Sequence, residues 1–192
     1  MDKKIVGILG SFKKDGNVAI MLQELLKSAE ESGNNVKQIN LCDLNLEYCR
    51  ACMYCRQNGR CILNDDLDSL AGEIIKADVV VLAAPTYWAN VPAIVKNLFD
   101  RMAGYVMQTK KNGIPAPKCS KNQQYILLTA CSTPFPLNIV CGQSTGSLRA
   151  MTEFFKLSGM SKKASVVLPG TLGMKSRPDK VMDKVKEIGK SI

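Results

Sequence analysis

Residues 4–33 read KIVGILGSFKKDGNVAIMLQELLKSAEESG. The first six residues, KIVGIL, are a short apolar run of the kind that forms a buried strand. From Asn17 to about Ser32 the apolar residues Ile20, Met21, Leu25 and Ala29 recur at helical spacing, and Gly33 closes that helix. A strand, a loop containing Gly10 and Gly16, and a helix follow one another directly. The same unit recurs along the chain. VKQINL (36–41) alternates and reads as a second strand, and 68–76 as a short helix. DVVVLAA (78–84) is a fully buried strand, followed by a helix over 91–107 with Pro92 held to its first turn. QYILLTA (124–130) is a fourth strand, 144–157 a helix, ASVVLP (164–169) a fifth strand and 178–189 the last helix. Strands separated by helices run parallel and are covered on both faces. The expectation is a single α/β domain over 1–192, a doubly wound five-stranded parallel sheet of order 2-1-3-4-5. Two connections, 42–66 and 108–123, are long. The first is expected to be functional, and the second a subunit contact or a mobile segment.

Composition narrows the class. Of 192 residues, 46% are apolar and 22% charged, which suits an ordinary globular chain. No apolar run approaches the roughly 18–20 residues of a membrane span. MDKKIVGILG lacks the layout of an export signal, so a cytoplasmic protein with no membrane partner is expected. There are eight cysteines and no histidine, which excludes imidazole ligands and Ser-His-Asp chemistry. The net charge of +9 is uneven, with 11 basic against 13 acidic residues over 1–100 and 15 against 4 beyond. The lysines are scattered and carry no nucleic-acid motif, so they read as solvated surface.

Ligands of such sheets bind beyond the carboxyl ends of the strands. The loop Gly10–Ala19 leads into a helix start, where free N–H groups and the helix dipole suit a phosphate. Ser11 and Asn17 offer polar groups and Lys13 a charge. Neither GxGxxG nor GxxxxGK[ST] occurs, which leaves a mononucleotide phosphate as the natural guest; an ordinary strand-to-helix turn is the alternative. After the third strand, Pro85-Thr86-Tyr87-Trp88-Ala89-Asn90-Val91-Pro92 holds the only tryptophan. Its aromatic rings suit a flat conjugated ligand, with Thr86 and Asn90 at polar edges; plain core or interface packing is the alternative.

Cys49, Cys52, Cys55 and Cys61 form C-x2-C-x2-C-x5-C. Without an export signal, clustered thiols point to metal or redox chemistry. Three thiolates on one turn and a fourth beyond the Asn58-Gly59 turn suit a [4Fe–4S] cube. Zinc, which usually takes two separated C-x2-C knuckles, and free thiols or disulfides are the alternatives. Cys42 and Cys141 read as ordinary small residues.

The GSxxxxGN loop, the cysteine run, Asp65-Asp66 and PTYWANVPAIVKNLFDR (85–101), in this order, resemble the flavodoxin-like NAD(P)H-dependent FMN reductases, in particular their iron–sulfur flavoprotein branch. The resemblance covers about residues 4–101. It implies a flavodoxin-like fold and noncovalent FMN. Ser11, Lys13, Gly16, Asn17 and Val18 would hold the phosphate, Val18 through its backbone alone. Pro85, Thr86, Tyr87 and Trp88 would lie along the isoalloxazine, with a third loop at Ala130, Cys131 and Ser132. Ala51 stands where relatives often carry glycine. The implied function is electron transfer between FMN and a [4Fe–4S] cluster. The alternatives are an NAD(P)H-dependent FMN or quinone reductase without a cluster, and a non-enzymatic binding module. NAD(P)H or a ferredoxin would be the redox donor. A homodimer or tetramer is implied, with the 42–66 loop reaching toward a neighbour's flavin. No side chain is assigned a catalytic proton transfer. Asp100-Arg101 reads as a charge pair near a helix end.

Overall fold

A computed structural model describes residues 2–110 and 113–192. Strands β1 (Lys4–Leu9), β2 (Asn35–Asn40), β3 (Val79–Pro85), β6 (Gln124–Ala130) and β7 (Ser161–Leu168) form one parallel sheet of order β2-β1-β3-β6-β7. This is the expected doubly wound order. A separate antiparallel pair, β4 (Met107–Thr109) and β5 (Pro115–Pro117), lies largely within the 108–123 connection expected to be a subunit contact or a mobile segment. Lys111 and Asn112 of that 108–123 connection lie outside the described residues.

Helices α1 (Asn17–Glu31), α3 (Leu67–Lys76), α4 (Ala93–Val106), α6 (Gln143–Ser158) and α7 (Asp179–Lys190) cover the sheet. The short helices α2 (Tyr54–Asn58) and α5 (Leu137–Val140) were not legible in the periodicity, because four or five residues cannot display it. The pleat divides each strand between two cores. Val6, Ile8, Val80, Leu82 and Leu127 face α3, α4 and α6, while Ile5, Leu9, Val81, Ile126 and Leu128 face α1 and α7. Each fully buried Val, Leu or Ile contributes about 1.5–3 kcal/mol. The central strands β1, β3 and β6 are largely apolar because both of their faces are buried.

Three differences from the sequence reading have a local physical cause. β7 begins at Ser161 rather than 164. As an edge strand its polar start SKKAS faces partly outward, which hides the strand signal, and its register shifts at Tyr125/Ile126. Pro92 is the N-cap of α4, not a residue of its first turn. Leu41 belongs to a 3-10 turn (Leu41–Asp43) rather than to the second strand. At the end of β1, Gly10 is required: a Cβ there would come within 2.2 Å of the Val95 side chain on α4. Gly33, at φ 88, ends α1 as expected.

Candidate functional site

The loops after β1, β3, β6 and β7 meet beyond the carboxyl ends of the strands. They enclose a cavity of about 290 Å³ lined by Ser11, Lys13, Gly16, Asn17, Val18, Pro85, Thr86, Tyr87, Ala130, Cys131, Ser132 and Thr171. Eleven of the thirteen residues expected from the sequence therefore line one cavity. Lys13 is the only charged side chain among them.

The first wall is the start of α1. Gly16 is its N-cap and no side chain caps it. The first amide of the helix with an intrahelical acceptor is that of Ile20, which donates to the Gly16 carbonyl at 3.0 Å. The amides of Asn17, Val18 and Ala19 are thus left for a ligand. Ser11 Oγ accepts from the Lys13 amide at 3.2 Å and folds the loop back over this point. Free amides, a positive helix end and one lysine are the features that suit an anion.

The second wall is tied to the third. The Thr86 amide donates to the Ala130 carbonyl at 2.8 Å, and the Thr86 and Thr129 hydroxyls lie 3.1 Å apart. Cys131 donates its amide to the Leu168 carbonyl at 3.0 Å, and the Thr171 amide donates to the Cys131 carbonyl at 3.1 Å. Burial pushes the Cys131 thiol up, so it stands in the wall as a neutral thiol. Thr171 was missed in the sequence. The loop after the fifth strand ends at the same sheet edge as the others, and that rule alone would have found it.

Trp88 and Asn90 are not brought into this cavity. Tyr87 and Asn90 exchange two backbone hydrogen bonds of 2.9 Å, closing a two-residue turn with Trp88 at φ 52 and Ala89 at φ 57. Both central residues take left-handed backbone without being glycine, which stores strain. Trp88 is 98% exposed. Asn90 Oδ1 accepts from the Val91 amide at 2.8 Å, and Asn90 borders a different groove of about 840 Å³ between α4 and α6. The turn rests on α6 at Gly146, where a Cβ would come within 2.0 Å of the Ala89 carbonyl oxygen.

The four clustered cysteines line a separate basin of about 530 Å³ against α4. Ala51 and Met53, at φ 51 and 61, are left-handed, which explains why glycine suits position 51. Among the described residues, no three Cys, Asp or Glu side chains are gathered closely enough to hold a metal ion. All eight cysteines are free thiols, Cys49 and Cys52 exposed, Cys55 and Cys61 half-buried. Soft thiols in one basin are the right donors for an iron–sulfur cluster or a soft metal. The expected Asp100-Arg101 pair is not formed. Asp100 pairs with Lys96 one turn back on α4, whereas Arg101 turns inward to Asp65.

Among the described residues no helix is long and apolar enough to cross a membrane. The family described as NADPH-dependent FMN reductase matches residues 3–123. An iron–sulfur flavoprotein of Archaeoglobus fulgidus is 41% identical over 102 residues, 53% of this chain and 46% of that protein. One of Methanocaldococcus jannaschii is 32% identical over 123 residues, 62% of this chain and 64% of that protein. The chain spans about half the length of the curated relatives it matches. Among solved structures, an NAD(P)H:quinone oxidoreductase from Methanothermobacter marburgensis superposes with TM-score 0.81 at 14% identity, over 99% of this chain and 98% of that one. An FMN-dependent NADH-azoreductase from Bacillus anthracis in complex with FMN gives 0.72 at 16% identity, over 100% and 97%. These likenesses establish the fold as flavodoxin-like. The match over 3–123 establishes more: the chain belongs to the NADPH-dependent FMN reductase family, flavodoxin-like oxidoreductases, and is related to the iron–sulfur flavoproteins.

Proposed function

We propose that this protein is an FMN-dependent oxidoreductase that takes its electrons from NAD(P)H, with FMN in the cavity at the carboxyl edge of the sheet. The observation that carries this reading is the pairing, in one cavity, of free α1 amides beside Lys13 with the Pro85–Tyr87 and Ala130–Ser132 walls. The backbone amides of Asn17 and Val18, the side-chain amide of Asn17, the Ser11 hydroxyl and Lys13 would take the phosphate. The backbone of Pro85–Tyr87 and of Ala130–Ser132 would flank the ring. FMN, when bound, supplies hydride and single-electron chemistry; the chain's own part is to bind, orient and exclude water. The chain has no histidine to move protons at neutral pH. Membership of a reductase family speaks against a non-enzymatic binding module. Eight free thiols suit a reducing, cytoplasmic setting.

The test is an FMN titration followed by flavin fluorescence, with Asn17→Leu beside the parent chain. The account expects saturable binding that weakens at least tenfold in the variant, and NAD(P)H-dependent bleaching of the bound flavin. Equal affinities would mean that the loop does not hold the phosphate.

A second reading is electron transfer between FMN and a [4Fe–4S] cluster, with a ferredoxin among its partners. It is favoured by the four thiols on one basin and by the names of the curated relatives. It requires the cysteine loop to rearrange, since among the described residues no three of these thiols are gathered closely enough to share a metal. Assembly into a homodimer or tetramer, with the 42–66 loop near a neighbour's FMN, belongs to the same reading.

A further inference from the structure

The cavity wall after β3 has spent its backbone donors. Pro85 has no N–H. The Thr86 amide donates to the Ala130 carbonyl at 2.8 Å, and the Tyr87 amide to the Asn90 carbonyl at 2.9 Å. Across the cavity the Cys131 amide is engaged by the Leu168 carbonyl at 3.0 Å. A flat heteroaromatic ring laid along Pro85–Tyr87 therefore finds no main-chain N–H there. The short side-chain donor left on that wall is the Thr86 hydroxyl.

Its role is set from behind. Thr86 Oγ1 lies 3.1 Å from Thr129 Oγ1. Thr129 stands in the apolar run of β6, is 0% exposed, and among the described residues has Thr86 as the one hydrogen-bond partner of its hydroxyl. Each hydroxyl has a single proton to give. If Thr86 donated, the Thr129 proton would be left in the core without an acceptor, the arrangement that buried polar groups avoid. If Thr129 donates, both hydroxyls are served and Thr86 keeps its own proton for the cavity. Burial therefore fixes Thr129 as the donor of the shared bond and Thr86 as its acceptor.

We propose that Thr129 is a positioning residue for the cofactor: by donating to Thr86 Oγ1 it sets the Thr86 hydroxyl as a donor toward an acceptor atom of the flavin ring. The inference rests on the reading of this cavity as the FMN site, and the experiment separates the two. The ring nitrogens and carbonyl oxygens of a flavin gain electron density on reduction. A fixed donor beside them holds the reduced form more tightly and raises the potential.

FMN is titrated into the parent chain, Thr86→Val, Thr129→Val, Thr129→Ser and the double variant Thr86→Val/Thr129→Val. The two-electron potential of the bound flavin is read by spectroelectrochemistry. Thr86→Val should weaken oxidised FMN about tenfold and reduced FMN about tenfold further, a fall in potential of about 30 mV. Thr129→Val leaves the Thr86 hydroxyl in place but unheld, and should move both readings in the same direction by about threefold. Thr129→Ser keeps the hydroxyl and should restore both. Added to Thr86→Val, Thr129→Val should change neither. No FMN binding by the parent chain would overturn the cavity reading and the inference with it. Binding in the parent with a parent-like potential in Thr129→Val would overturn the inference alone. So would a Thr129→Val effect that persists in the Thr86→Val background. If Thr129→Val fails to fold, Thr86→Val decides, and a parent-like potential there removes the donor.

Discussion

Arg101 and Asp65 form a two-pronged ion pair at 2.9 and 3.0 Å, with both side chains 1% exposed. The pair joins α4 to the end of the cysteine loop. Asp65 also accepts from the Glu47 amide at 2.9 Å and the Leu67 amide at 3.1 Å, so both carboxylate oxygens are engaged. Burial raises the pKa of this carboxyl, but the hydrogen bonds from Arg101 and the two amides outweigh it and hold the group below its usual range.

Asp65→Ala leaves a buried guanidinium unpaired and should cost about 3–5 kcal/mol. Because the folded pKa lies below the unfolded value of about 3.9, the stabilisation is present above that pH and is lost as pH falls through the folded value. Denaturant melts from pH 7 down to acid should lose stability more gradually in the variant than in the parent. Parallel curves would mean that the pair contributes nothing.

Gly146→Ala tests whether the Tyr87–Asn90 turn depends on α6. Alanine favours a helix interior over glycine by about 1 kcal/mol. Against that, its Cβ would meet the Ala89 carbonyl oxygen at 2.0 Å. Overpacking typically costs about 1–3 kcal/mol. The expected result is a lower melting temperature and weaker FMN binding. A variant more stable than the parent, with unchanged FMN affinity, would show that the turn adapts freely.

The alkaline side belongs to Tyr105. Burial, then its hydrogen bond to Asp68, pushes the hydroxyl up to about 12. A raised folded pKa favours the protonated form, so the stabilisation is complete below about pH 10 and is lost as pH rises through about 12. Burial raises Tyr125 as well, so phenolate absorbance should show two tyrosines titrating late, and Tyr105→Phe should remove one of them. A late titration of unchanged amplitude in the variant would assign the shift elsewhere.

Much of this was legible in the chain itself. The buried strands announced themselves because both sheet faces are covered, and the loop residues because carboxyl-edge loops converge in a doubly wound sheet. Trp88 lies outside the cavity: its aromaticity suggests a ring contact, but the left-handed turn that carries it rests on Gly146, about sixty residues away, and local sequence holds no record of that. Arg101 was read as a neighbour of Asp100. One helical step separates the directions of the two side chains by about 100°, so the inward one had to find a partner on another segment. The β4–β5 pair escaped because three-residue strands rich in proline give no alternation.

Cys52→Ser addresses the iron–sulfur reading directly. Anaerobically reconstituted parent chain should carry about four iron and four sulfide under that reading. The variant should lose them while retaining FMN. Full iron in the variant would remove Cys52 from the ligand set, and none in the parent would leave the reductase reading alone.

The most direct measurement is a crystal structure of the chain soaked with FMN. Electron density should put the phosphate at the Asn17 and Val18 amides beside Ser11 and Lys13, and the ring along Pro85–Tyr87 and Ala130–Ser132. Solvent at both places, or FMN seated in the groove between α4 and α6, would contradict the account.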